Sequence, residues 1–321
     1  MAYQAGDTIT GAQYNIFVNN SSSPFGYNHF AGTGSGNYGL GQTHIATVTG
    51  GSTTITAAQF NSLFTGMTNI ANHTNDSLTS AAQVSAGSTI AIRSALEADL
   101  ASLAAEVAAG STSATALTTS SALQTVTSSS GWGSSATSEI SATFASADAL
   151  RHFFNAGGKI RFTMTANAES NSSNVKDQSF IDMGSSLGNI DIAAHSTTRS
   201  GSGETLTTNG LSNGFHDLGT GYTVLIKLTS DNSNYTSNTV EVSAKLNAAV
   251  GSATVLTVKC VSTDPAGDTT YTGGNTDGVG SDPKKTPAIV TKIFSIDPNN
   301  SEGLAAGIAP SSTATVTNST S

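Results

Sequence analysis

Apolar residues recur at helical spacing in the first third of the chain and at strand spacing through its second half. Phe60, Leu63, Phe64, Met67 and Ile70 form one stripe at period 3.6. Thr56 and Gln59 precede it as a T-x-x-Q capping box, which predicts a helix from Ala57 to about Thr74, where Asn72-His73-Thr74-Asn75-Asp76 supplies a polar stop. A second stripe, Ile92, Leu96, Leu100, Leu103 and Val107, follows a Ser88 or Thr89 cap and ends at Gly110. Two uses stay open for it: an α-hairpin with the first helix, or a seam between copies of the chain. Upstream, Tyr14, Ile16 and Val18 alternate with Asn15, Phe17 and Asn19, the pattern of an extended segment.

The most concentrated apolar stretch is Ala147–Phe162. Leu150, Phe153 and Phe154 share one helix face, Gly157 and Gly158 end the helix, and Ile160, Phe162 and Met164 begin a strand at period two. This predicts a short helix that caps a sheet, buries Phe153 and Phe154 and feeds the first core strand. Glu139–Phe144 reads as a strand before it. Beyond it the chain reads as β throughout: Ile160–Ala166, Asn189–His195, Gly221–Ser230, Thr239–Leu246, Val255–Val261 and Ala288–Ile296, separated by Asn-, Asp-, Gly- and Pro-bearing turns.

The fold class is therefore mainly β with a small α part: an N-terminal extended segment plus α-hairpin, followed by an antiparallel β-sandwich. Residues 1–110 form an assembly region with two helices, 111–135 a Ser/Thr-rich linker or a β-edge, 136–298 the sandwich, and 299–321 an extended tail that drapes over a partner. The core and assembly residues are Phe153, Phe154, Gly157, Gly158, Ile160, Phe162, Phe60, Phe64, Leu96 and Leu100. The loop Gly32–Gln42 and the tail are expected to reach neighbouring subunits.

Composition sharpens this picture. Charged residues make up 10% of the 321 and hydrophobic residues 37%, so the core is modest and an assembled subunit is expected. A net charge of −9 argues against a nucleic-acid partner, which would require basic surface. No apolar run reaches the ~18 residues of a membrane span, and the opening residues lack the features of a secretory signal. No membrane partner is expected, and synthesis is expected in a cytoplasm.

Candidate chemistry is sparse. Gly34, Gly36 and Gly39 spell G-x-G-x-x-G, but no strand, helix and acidic residue flank them as a dinucleotide site requires, and Gln59 and Asn61 stand where the acid belongs. His29, His44, His73, His152, His195 and His216 are scattered, without metal-ligand spacing, and His216-Asp217 is an adjacent pair in a loop. Cys260 reads as a small buried hydrophobe in a strand. The loop carrying Asp264, Asp268, Asp277 and Asp282 is either a calcium loop or a contact loop. No catalytic residue, cofactor or metal site is expected, and the chain is not read as an enzyme.

Several stretches, in order, carry a resemblance: Ala5–Asn15, Gly32–Gln42, Ile55–Asn61, His73, and Phe153-Phe-Asn-Ala-Gly-Gly-Lys-Ile-Arg161. Together they resemble virion structural proteins of tailed phages, especially contractile-tailed phages of marine cyanobacteria. The resemblance covers roughly residues 5–165 and is looser beyond. It implies a multi-copy virion component of the tail, baseplate or fibre base, with other virion proteins and copies of itself as partners and the virion as its location. The alternative is a head-decorating or host-glycan-binding adhesin, with Tyr222, Tyr235 and Tyr271 stacking on sugars.

Overall fold

Thr10 opens the described chain by accepting a hydrogen bond from the Gln13 amide, while the Gln13 side chain accepts from the Thr10 amide. That capping box starts helix α1 (Gly11–Asn19), so the segment expected to be extended is helical. The alternation misled because Tyr14, Phe17 and Val18, at i, i+3 and i+4, are buried, whereas Ile16 is 41% exposed. The computed structural model describes residues 10–49, 55–79, 83–87, 93–167, 175–232, 235–265, 286–299 and 310–318.

Helix α2 (Ala57–Thr74) begins at the predicted Thr56/Gln59 box and ends at Asn75, which takes a left-handed φ of 61°. Helix α3 (Arg93–Ala109) stops at Gly110, φ 68°, where the Ser111 amide reaches back to the Glu106 carbonyl. Its proposed caps, Ser88 and Thr89, lie outside the described residues, as does Ile92. Leu96, Leu100, Leu103 and Val107 pack with Phe60, Phe64, Met67, Tyr14 and Phe30 in one core. The stripe is thus spent within the chain, as an α-hairpin uses it. Helix α4 (Ala147–Asn155) follows as expected, with Phe153 and Phe154 fully buried and edge-to-face at 5.2 Å.

Contacts divide the chain into two units. The first comprises Met1–Thr118, Asp148–Gly158 and Asp297–Ala309; the second comprises Thr119–Ala147, Lys159–Ile296 and Pro310–Ser321. Helix α4 therefore groups with the helical N-terminal unit, although the sequence suggested that it belonged to the sandwich.

The β unit holds two six-stranded antiparallel sheets, sandwich-like as expected. The first has β1 (Leu117–Thr119) and β2 (Gln124–Thr127) both pairing with β11 (Ala288–Pro298), then β4 (Lys159–Asn167), β5 (Asn189–Ile192) and β6 (Thr197–Arg199). The second runs β12 (Ser311–Asn318), β3 (Ser135–Thr143), β10 (Val255–Thr263), β9 (Thr239–Leu246), β8 (Thr223–Thr229) and β7 (Thr205–Asn209). A hydroxyl bond from Thr291 to Ser138, 2.9 Å, links the facing strands β11 and β3.

Three departures stand out. The region 111–135, read as a linker or a β-edge, contributes β1, β2 and the buried Trp132. The tail supplies β12, paired to β3 of its own chain. And helix α5 (Val175–Leu187) interrupts the stretch read as all β, burying Phe180, Met183 and Leu187 at i, i+3 and i+7. It runs along β4, where a Cβ on Gly184 would lie 3.1 Å from the Met164 carbonyl, so a small residue permits the approach.

Candidate functional site

In the N-terminal unit the glycine-rich loop is fastened to helix α4. Arg151, 4% exposed, donates from Nη1 to the Tyr38 carbonyl, and from Nη2 to the Thr33 carbonyl (3.1 Å) and Asp148 Oδ1 (2.8 Å). Asn155, one turn on and on the same face, donates from Nδ2 toward the Gly36, Tyr38 and Gly39 carbonyls at 3.2, 2.9 and 3.2 Å. The loop lies close because Gly39 (φ 91°) and Gly41 (φ 72°) carry no Cβ; one added at Gly41 would sit 3.0 Å from His152 Nδ1. Burial, with Arg151 adjacent, pushes the His152 imidazole down to about 4.

This geometry bears on two sequence expectations. The G-x-G-x-x-G loop turns carbonyl oxygens toward a guanidinium, the opposite polarity to the N–H cradle that phosphate requires. The same loop, expected to reach a neighbouring subunit, is held within its own chain at five carbonyl contacts from two side chains. Its holders, Arg151 and Asn155, escaped the sequence reading, because their i, i+4 spacing places them on one helix face but names no partner.

The expected core residues divide between the units. Phe60, Phe64, Leu96 and Leu100 meet in the helical core. Gly157 (φ 81°) and Gly158 close α4 within the same unit: a Cβ at Gly157 would overlap the Thr112 hydroxyl, and one at Gly158 would meet the Phe153 ring at 2.8 Å. Ile160 and Phe162 are fully buried on β4 in the β unit. His73 bonds through Nε2 to the Ala156 carbonyl at 2.9 Å, which ties the end of α2 to the end of α4.

A cleft of about 490 Å³ opens in the helical unit, lined among others by Tyr14, Tyr27, His44, Gln59, Thr65 and Asn69. Its lining includes no carboxylate, lysine or arginine. Burial raises the phenol of Tyr27 to about 12 and that of Tyr14 above its ordinary value, so both stay neutral hydrogen-bonding groups.

In the β unit, Lys259 Nζ and Lys245 Nζ lie 3.8 and 4.3 Å from the centroid of the Tyr222 ring, so a sugar stacking there would compete with two cations. Tyr235 is partly buried beside a turn, and Tyr271 lies outside the described residues. His195 and His216 stack at 5.0 Å with rings 17° from parallel, so their nitrogens lie in parallel planes and do not converge. Among the described residues no three His, Cys, Asp or Glu side chains gather as metal ligands, and the Asp268–Asp282 part of the acidic loop lies outside them. Cys260 is 1% exposed on β10, with its thiol pushed up to about 12 by burial. Asp264 is buried against Lys176, a pairing that residues 88 positions apart could not announce in sequence. No known protein family, curated protein or solved structure matches this chain.

Proposed function

We propose that this chain is a multi-copy structural protein of a contractile-tailed phage particle, placed in the tail, baseplate or fibre base, and a building block, not a catalyst. The observation that carries the assembly reading is strand β7. Among the described residues it ends its sheet, all five of its residues are exposed, and Thr-Leu-Thr-Thr-Asn contains no charge or proline. Monomeric proteins blunt such edges with lysine, proline or a cover, because open N–H and C=O groups recruit another strand. A single bulge at Thr207 is the only such device on β7 itself. The ordered motifs between residues 5 and 165 support the phage assignment, and low charge suits lateral packing between copies.

Immunogold labelling of virions with an antibody to this chain tests the reading; a particle population without label would overturn it. A charge on the edge, Leu206→Lys, is expected to reduce self-association in light scattering while leaving the melting temperature near that of the parent.

A second reading rests on the neutral polar cleft. Hydroxyl and amide groups beside tyrosine suit an uncharged sugar, as a host-glycan-binding adhesin would need. Binding on a glycan array that is lost in Asn69→Ala would favour it, and a blank array would count against it.

A further inference from the structure

We propose that Lys176 and Asp264 become joined by an intramolecular amide bond. Their Nζ and Oδ2 atoms lie 2.7 Å apart, and neither side chain has any exposed surface. The backbone holds both partners. Lys176 sits in the first turn of α5, its carbonyl accepting from the Ser179 hydroxyl at 2.8 Å. Asp264 follows β10, its amide donating to the Ser134 carbonyl at 2.9 Å. Phe180, one helical turn beyond Lys176, meets Trp132 edge-to-face at 5.4 Å, and both are buried. Apolar rings thus stand one turn from the amine and two residues before Ser134, whose carbonyl anchors the acid.

In water an ammonium and a carboxylate do not condense, because hydration stabilises both ions and the amine holds its lone pair in an N–H bond. A site closed to solvent narrows that advantage, since both ions lose the hydration that held them apart. Transfer of one proton from Nζ to the carboxylate leaves a neutral amine beside a carboxylic acid. The amine lone pair then attacks Cγ. One C–N bond forms and one C–O bond breaks. The departing hydroxyl takes the second amine proton and leaves as water. No oxidant or activating group is needed, and net charge is unchanged at zero. The product would tie the start of α5 to the end of β10 covalently, which suits a part under mechanical load.

The full-length protein, purified and denatured, is expected to weigh one water less than its sequence. Proteolysis is expected to release a branched peptide that joins the Lys176 and Asp264 segments, with trypsin unable to cut after Lys176. Lys176→Arg, which keeps the charge but lacks the primary amine, is expected at full mass. A wild-type chain of full mass, cut normally after Lys176, overturns the proposal. So does a mass deficit that maps to a linear peptide, as an aspartyl succinimide would give. The wild-type digest decides without relying on any variant to fold.

Discussion

Asn28 and Ile45 exchange two hydrogen bonds through a side chain instead of a strand: Asn28 Nδ2 donates to the Ile45 carbonyl at 2.9 Å, and the Ile45 amide donates to Asn28 Oδ1 at 2.8 Å. Asn15 does the same with Val48, and Asn61 with Val84. Each carboxamide supplies the donor and acceptor that a neighbouring strand would otherwise offer, so irregular segments lie against helices without orphaned backbone groups. Asn28→Ala is expected to destabilise the helical unit on the order of 1–3 kcal/mol, the cost of unmet buried donors and acceptors. Denaturant melts and faster amide exchange at Ile45 would register it; exchange at the parent rate would mean the clamp carries nothing.

Phe153 fills space between the end of α4 and the turn at Gly158, with no exposed surface. Phe153→Ala is expected to cost roughly 3–5 kcal/mol, as large-to-small changes in packed cores do. Gly157→Ala is expected to destabilise as well, since the left-handed φ of 81° and the Thr112 hydroxyl both oppose a Cβ. An unmoved melting temperature in Phe153→Ala would mark the helix as peripheral.

Acid is expected to loosen the loop over α4. The folded His152 titrates near 4, against about 6.5 for an unhindered imidazole. Between those values the unfolded chain binds a proton that the folded chain refuses, so stability is complete above about pH 6.5 and falls as pH drops toward 4. The charged groups beside it are Arg151, which pushes the same way as burial, and Asp148, which opposes it. Asp148, held below its ordinary range by the Arg151 hydrogen bond, adds a further loss in the same direction at lower pH. Melting temperatures taken across this window should fall for the parent and flatten in His152→Gln. Parallel curves would detach the effect from His152.

Thiol reagents are expected to leave Cys260 untouched in the folded protein and to label it at the rate of unfolding, because burial both blocks access and disfavours the thiolate. Rapid labelling under native conditions would show that β10 opens without unfolding.

Trp132, the one tryptophan in the chain, donates from Nε1 to the Pro287 carbonyl at 2.7 Å and is 1% exposed. Its emission is expected to be blue-shifted and to move red only when the β unit unfolds. Native emission at the wavelength of free indole would contradict its burial.

Local pattern decided the elements whose signals are short-range. The Thr56/Gln59 box, the Gly110 stop, the boundaries of β9 and the buried faces of α2, α3 and α4 all follow from spacing, because capping and amphipathic burial depend on residues within a turn or two. Helix α1 was equally legible through Thr10 and Gln13, but three alternating residues masked it, and α5 was legible through Phe180, Met183 and Leu187. The tertiary structure alone decided the rest. Nothing local told that α4 serves the helical unit, that Arg151 and Asn155 hold the glycine loop more than a hundred residues upstream, or that the tail pairs with β3. Lys176 and Asp264, 88 positions apart, meet only in the folded unit. Such partnerships join distant residues, and their energy comes from excluding water around both at once, a condition that no stretch of sequence carries by itself.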